Sequence, residues 1–517
     1  MQVAWHGGDV LSASVGHCTA AGHHAFAQMT DPRRREWTAV LVLVAYVAIW
    51  TVYGVLAKGS QDMHADMAEV VAWSRELALG YKHPPLSAWV TAAWFAVFPV
   101  TDWAFYLLAM TTVGVALWMA WRLAGDYLDP GKRVMALAML MLIPFFNFHA
   151  LKFNANTVLV PLWAATTLCF LRSYERRSAG WAALAGLFAA VTMLGKYWSI
   201  ILIVGLGLAA LLDSRRAAYF RSAAPWITIA VGAVALTPHT VWLIQSDFAP
   251  FKYSVMAHAG AERAAWLNAP LYLTGSLAYV IVSMLVVGAA LRPSAAAFSD
   301  MLLPKQPARR LAAWAFWLPL LLPVTVPFVA DVNIPALWSM SAWTMLPVVV
   351  LSSPHCVLRR NAPCGVLVVV VFLPLIMVAA APAIATAVFR DTNSNGSFHS
   401  RLLAERIATE WGRMTERPLR LIAGEDDLPY GAAFYLPSRP MSYVDLSPAA
   451  TLWVDRERLR RDGFVLVCQA TSQCPVRAAQ HGYRGTRIDV KVTPSFGGIT
   501  GRTADYIIVI VPPGSEG

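Results

Sequence analysis

The chain has 517 residues, 57% hydrophobic and 14% charged, with 21 Trp and a mean hydropathy of +0.52. Soluble domains carry about 25% charged residues, so this composition excludes an ordinary soluble enzyme and indicates a polytopic α-helical membrane protein. The net charge of +11 does not indicate a nucleic-acid partner. Its Arg and Lys residues sit in short clusters between apolar runs, where orientation signals lie.

Residues 1–36 hold no apolar run long enough for a secretory signal and are rich in Gly, Ala and His. They read as a cytoplasmic segment, disordered to about residue 30, with Met29 as an alternative start. A membrane span needs about 20 apolar residues. The runs at 37–57, 103–121, 133–150, 157–171, 180–195, 197–212, 224–245, 270–291, 312–330, 334–353 and 365–387 meet or approach that length, about eleven spans in all. A further apolar run, 86–99, is short and ends near Pro99. If it stays on the surface, the clusters at Arg33–Arg35, Arg122–Arg133, Arg172–Arg177, Arg215–Arg221, Arg292–Arg310 and Arg359–Arg360 all face the cytoplasm. If it crosses, every later cluster flips. The run is therefore read as a surface or re-entrant helix, with the N-terminus inside and the C-terminus outside.

The first loop, 58–102, concentrates Asp62, His64, Asp66, Glu69 and His83 in a chain that otherwise avoids charge. The spacing predicts a helix from Asp66 to Gly80, with Asp66, Glu69, Trp73 and Glu76 on one face turned to water and Met67, Val70, Val71, Leu77 and Ala78 on the other. His83-Pro84-Pro85 then opens a second helix whose first amides are placed to meet an anion. A carboxylate beside an anion site at a bilayer surface points to chemistry on a lipid-linked phosphate. The same parity brings Lys152, Asn154, Asn156, Lys196, Tyr197, Lys252, Tyr253, His258, Glu262, Arg263, Asp331 and Asn333 to that outer face. Polar residues at membrane depth usually face a cavity. His239, inside a span, suits a helix–helix hydrogen bond, while Lys252, Tyr253 and His258 suit an acceptor entrance. From about residue 390 a turn-rich linker leads to strand-like runs at 419–423, 464–468, 488–492 and 506–511, with a helix at 453–461. Residues 390–517 read as a small α/β domain outside the membrane, with Glu425, Asp426 and Asp427 in a solvated turn. Cys468 and Cys474 are spaced for a disulfide there.

Asp66-Met-Ala-Glu-Val-Val-Ala-Trp73-Ser74, followed by Gly80-Tyr-Lys-His83-Pro-Pro-Leu, resembles the first-loop signature of GT-C membrane glycosyltransferases. These are the family 39 and 83 enzymes, which include protein O-mannosyltransferases and the aminoarabinose and galacturonic acid transferases of bacterial lipopolysaccharide. Lys152-Phe-Asn154-Ala-Asn156, Gly195-Lys196-Tyr197 and Pro238-His239-Thr-Val-Trp242 are similar to the same group. The resemblance implies a catalytic domain over 37–389 in a bacterial inner membrane, with its active site on the periplasmic face. It implies inverting transfer of a sugar from a polyprenyl-phosphate donor to a glycolipid acceptor such as lipopolysaccharide or lipid A. Protein O-glycosylation is the alternative within the class, and a lipid-linked sugar flippase is the rival outside it. Asp66 matches the family's acidic residue and would accept the acceptor's proton, with Asp62 second in line. His83, Lys82, Lys152 and Lys196 would bind the donor phosphate. Glu69, Asn154, Asn156, Tyr197, His239, Lys252, Tyr253 and His258 would contact substrate. Met67 and Lys82 stand where relatives often carry acids, so no metal or other cofactor is expected.

Overall fold

A computed structural model describes residues 24–517 except 77–78, 81, 259–263, 292, 331, 359–361, 392–398, 426, 448–450, 452, 484 and 515–517, and without the side chains of 254–258, 362 and 364. The expectations placed on residues 1–23, Leu77, Ala78, Glu262, Arg263, Arg292, Asp331, Arg359, Arg360, Asp426 and the His258 side chain lie outside the described residues. Disorder to residue 30 does not hold in full: residues 24–30 are helical, and Met29 is buried in the main core.

The membrane part contains α1 (Arg35–Ala57), α2 (Ala65–Ser74), α3 (Leu86–Phe95), α4 (Asp102–Ala124), α5 (Pro130–Met141), α6 (Ala155–Arg176), α7 (Ala179–Gly195) and α8 (Ile200–Leu212). It continues through α9 (Ala224–Gln245), α10 (Ala249–His258), α11 (Ala265–Leu291), α12 (Pro307–Leu321) and α13 (Ala362–Arg390). Among the described residues seven helices are long and apolar enough to cross a bilayer: α1, α4, α6, α9, α11, α12 with its continuation to Val329, and α13. The run 133–150 is a pair bent by 77° at its middle, and 180–195, 197–212 and 334–353 supply shorter apolar helices. The eleven apolar runs are thus present, but only seven are continuous full-length spans. Helix α3 has ten residues, about 15 Å at 1.5 Å per residue, half the hydrocarbon thickness. It is shorter than a bilayer crossing needs.

Ion pairs and hydrogen bonds tie the basic clusters together at one end of the bundle. Arg133 pairs with Glu36 at 2.8 Å, Arg172 with Asp126 at 2.7 Å and Arg215 with Glu175 at 2.7 Å. Arg310 donates to Ser214 at 3.0 Å, and Lys132 to the carbonyl of Ser353 at 3.0 Å. Two helices approach closely where Gly186 of α7 faces α9, since a Cβ there would lie 2.3 Å from the Thr228 carbonyl.

The C-terminal domain begins with α14 (Ser400–Met414) and carries a five-stranded sheet in the order β2-β1-β3-β7-β4. The strands are β1 (Leu421–Gly424), β2 (Met441–Val444), β3 (Phe464–Gln469), β4 (Thr486–Val492) and β7 (Ala504–Val511), with a small β5–β6 hairpin (Ser495–Phe496, Ile499–Thr500). β1 pairs in parallel with β2 and β3, and β7 runs antiparallel to β3 and β4. Sequence reading missed β2, because four residues buried on both faces show no alternation to detect. Helices α15 (Leu428–Tyr435), α16 (Arg456–Asp462) and α17 (Cys474–Gln480) complete the domain. Asp455 caps α16 by accepting from the Arg458 amide at 2.7 Å, and Gly463 ends it at φ 64°. Cys468 and Cys474 are bonded, with Cα atoms 5.6 Å apart.

Candidate active site

Helix α2 sets the site. His64 is its N-cap, its Nδ1 accepting from the Asp66 amide at 3.1 Å. That atom also lies 3.6 Å from Asp66 Oδ1. A nitrogen that accepts a hydrogen bond carries no proton, so His64 is a neutral cap and not an ion-pair partner. Burial, and then the Lys152 charge, hold its pKa below the usual imidazole range.

The helix is shorter than expected, ending at Ser74, and its acidic face does not turn to water. Lys82 covers Glu69 at 2.7 Å, and Arg458 of α16 reaches Glu76 at 3.1 Å. Trp73 is buried against Ala88 and Trp453. The period was read correctly but the occupant of that face was not. The C-terminal domain packs where solvent was expected.

Asp66 meets a cation and an amide from the loop between α5 and α6. Lys152 Nζ lies 2.9 Å from Oδ2, and Asn154 Nδ2 donates to the same oxygen at 3.1 Å. Burial pushes Asp66 up, but the Lys152 charge and the hydrogen bonds from Lys152 and Asn154 outweigh it and hold the carboxyl below its usual range. It is ionised at neutral pH. Asn154 is fixed in turn, because its Oδ1 caps α6 through the amides of Asn156 at 2.9 Å and Thr157 at 3.3 Å. Asn156 Oδ1 accepts from Lys196 at 2.7 Å, and the Lys196 ammonium sits 4.1 Å from the Trp338 ring centroid. Among the described residues no carboxylate lies within ion-pair distance of Lys196. Burial pushes its pKa down to about 7, with Asp66 opposing.

Lys152, Asn154 and Asn156 line a cavity of about 640 Å³, together with Lys58, Gln61, Asp62, His64, His149 and Asp427. Lys58 was not singled out in the sequence, although a cation at the end of the first span beside an acidic loop was a usable signal. Asp427, read as part of a solvated turn, reaches this wall from the C-terminal domain. Asp62 is also in the wall but is otherwise engaged: its Oδ2 accepts from the amides of Ser400 at 2.7 Å and Arg401 at 3.3 Å. Burial pushes Asp62 up to about 6 against the pull of those amides and the Arg401 charge.

The remaining sequence candidates lie outside that cavity wall. Lys82 points toward the rings of Tyr253 on α10, 5.3 Å away, and Tyr430 on α15, 5.6 Å away. Burial raises the pKa of Glu69 despite Lys82. His239 Nδ1 must donate to the Leu79 carbonyl at 2.9 Å, which leaves Nε2 to accept from the Tyr197 hydroxyl at 2.8 Å. His239 therefore anchors the segment before Gly80, the helix-to-loop hydrogen bond being its visible task. His83 packs edge-on to Trp73, with ring centroids 5.9 Å apart, and is not in the cavity wall. Lys252 pairs with Asp247 in an exposed position away from Asp66. Among the described residues no three His, Cys, Asp or Glu side chains converge on one metal position.

At Gly80 a Cβ would lie 2.6 Å from the Trp242 ring. Trp242 stacks on His239, with centroids 5.4 Å apart, and has little room to yield. Gly80→Ala is expected to cost about 1–3 kcal/mol by overpacking, read as a lowered unfolding midpoint in detergent. An unchanged midpoint would show that the ring moves freely.

Sequence comparison matches residues 82–242 to the family described as dolichyl-phosphate-mannose-protein mannosyltransferase. The lipid A galacturonosyltransferase RgtD of Rhizobium johnstonii is 25% identical over 251 residues, 48% of this chain and 51% of the relative. The match thus spans about half the length of that curated relative. Structures of ArnT from Cupriavidus metallidurans share the architecture over 91% of this chain and 97% of theirs. The TM-score is 0.58 at 15% identity for the form bound to undecaprenyl phosphate, and 0.61 at 14% for the apo form. Over residues 82–242 the chain is therefore similar to that mannosyltransferase family, and its fold is the one seen in the ArnT structures.

Proposed function

We propose that the protein transfers a sugar from a polyprenyl-phosphate donor to a lipid A-like glycolipid, with inversion, at the periplasmic face of a bacterial inner membrane. The carrying observation is the ionised Asp66 held by Lys152 and Asn154, two residues of the cavity wall, with Lys196 bonded to a third, Asn156. RgtD's action on lipid A and the undecaprenyl phosphate bound to ArnT support these substrate classes. The common end shared by the basic clusters supports a periplasmic site at the opposite end.

In this reading the acceptor hydroxyl gives its proton to Asp66 as its oxygen attacks the anomeric carbon. The bond from that carbon to the lipid phosphate breaks, and the electron pair leaves with the phosphate. Lys152 and Lys196, with Lys58 also in the cavity wall, are cations available to neutralise it, and the transfer is assigned to them rather than to a divalent ion. Lys152 first serves as counter-ion to Asp66. When it turns to the donor phosphate, Asp66 loses that charge and its basicity rises.

The test is mass spectrometry of envelope glycolipids and glycoproteins from a deletion strain with and without the gene. One sugar mass missing from the glycolipids in the deletion, and restored by the gene, is the expected result. Loss from glycoproteins would move the acceptor to protein, a reading favoured by the description of the family matched over 82–242. No glycan change, with a lipid-linked sugar accumulating on one leaflet, would replace the transferase with a flippase.

A further inference from the structure

Asp62 has two readings. Its proton affinity alone, near pH 6, would suit a general base. Its geometry serves another purpose. The Asp62 carboxylate sits on the N-terminus of α14, a 15-residue helix more than 330 positions later in the chain, and accepts from its first two amides. The neighbouring Met63 amide donates to the Tyr435 hydroxyl at 2.8 Å, and that hydroxyl donates to Asp102 at 3.1 Å. Arg401 pairs with Asp102 at 2.8 Å while its guanidinium lies 4.8 Å from the Tyr435 ring centroid. Three parts of the chain therefore meet at one knot: the first loop, the start of α4, and the C-terminal domain. Asp62 and Met63 are both buried there. His64, the cap of α2, follows at once, and Asp66 stands in the first turn of that helix.

We propose that Asp62 is a positioning residue: with Arg401, Asp102 and Tyr435 it forms a clasp through which the C-terminal domain fixes the start of α2 and so the aim of Asp66. This rests on the role given to Asp66 above. A displacement of about 1 Å at a reacting group costs about 100-fold in rate, so a clasp distant from the acceptor can still govern turnover.

The experiment uses the full-length protein in lipid nanodiscs, with Asp62→Asn, Asp62→Ala and Arg401→Ala compared with wild type and Asp66→Asn. Hydrogen exchange is followed at residues 58–76 and 399–414, and sugar transfer from undecaprenyl-phosphate sugar to lipid A is followed in parallel. An Asn side chain keeps an oxygen that can accept from both α14 amides but cannot serve as a base. Asp62→Asn should therefore keep wild-type exchange and a kcat within about fivefold of wild type. Asp62→Ala and Arg401→Ala should speed exchange in both segments and lower kcat by about 100-fold, with the donor KM within about threefold. Asp62→Asn as inactive as Asp66→Asn, with wild-type exchange, would put Asp62 in the chemistry and overturn the proposal. Wild-type exchange and activity in both alanine variants would overturn it as well. If wild type transfers no sugar, the proposed function fails, and the exchange data alone then decide whether the clasp exists.

Discussion

Asp66→Asn is expected to abolish turnover while leaving the donor bound. The substitution keeps the volume and the hydrogen bond from Asn154, but removes the only charge that Lys152 faces on α2. Losing a general base costs about 100- to 10,000-fold. The ammonium of Lys152, released from its counter-ion, remains available to phosphate, so the donor KM should stay level or fall. Steady-state kinetics on the purified protein check both statements. A kcat within tenfold of wild type would remove Asp66 from the proton transfer. A raised KM with unchanged kcat would make it a binding residue instead. The low pKa direction of Asp66 also fixes the sign of its acid limb. In the free enzyme the base stays ionised below the usual carboxylate range, so kcat/KM should not decline on acidification to pH 5.

The second large effect concerns the lysines, and pH separates them. Lys196 without donor has a pKa near 7 because burial disfavours its charge. Below that pH it is the cation that a departing phosphate needs, and above it the amine is neutral. The kcat/KM value, which reports free enzyme, should therefore fall as pH rises through about 7. Lys196→Arg keeps the charge at every working pH and should remove that limb. Lys196→Ala and Lys152→Ala should each lower kcat by about 100- to 1,000-fold, the usual cost of losing one stabilising group at a developing anion. A limb that persists unchanged in Lys196→Arg would assign the titration to another group. The comparison also separates the two lysines, since Lys152 has a carboxylate partner and Lys196 has an amide oxygen.

Much of this was readable along the chain. Composition fixed the membrane class, and the spacing of charge clusters kept 86–99 out of the count of crossings, where a ten-residue α3 now lies. The motif around Asp66 and the short run Lys152-Phe-Asn154-Ala-Asn156 were legible because the groups they contain are rare in apolar sequence. Their direct contact was not legible. Asp66 and Lys152 are 86 positions apart, and only the bend between α5 and α6 sets one over the other. The misreadings share one cause. The acidic face of α2 and the solvated turn at Asp427 were each judged as if the first loop stood alone. The C-terminal domain in fact covers the first and carries the second into the cavity wall.

The sequence by itself determined the membrane class, the shortness of the helix at 86–99, the α/β character of the last 120 or so residues, and the residue types of the site. These follow from local composition and period, which depend on neighbours a few positions apart. The tertiary structure alone decided which carboxylate faces a cation and which caps a helix. That choice depends on contacts between segments separated by tens to hundreds of residues, and the same Asp side chain serves either purpose according to what the fold sets against it.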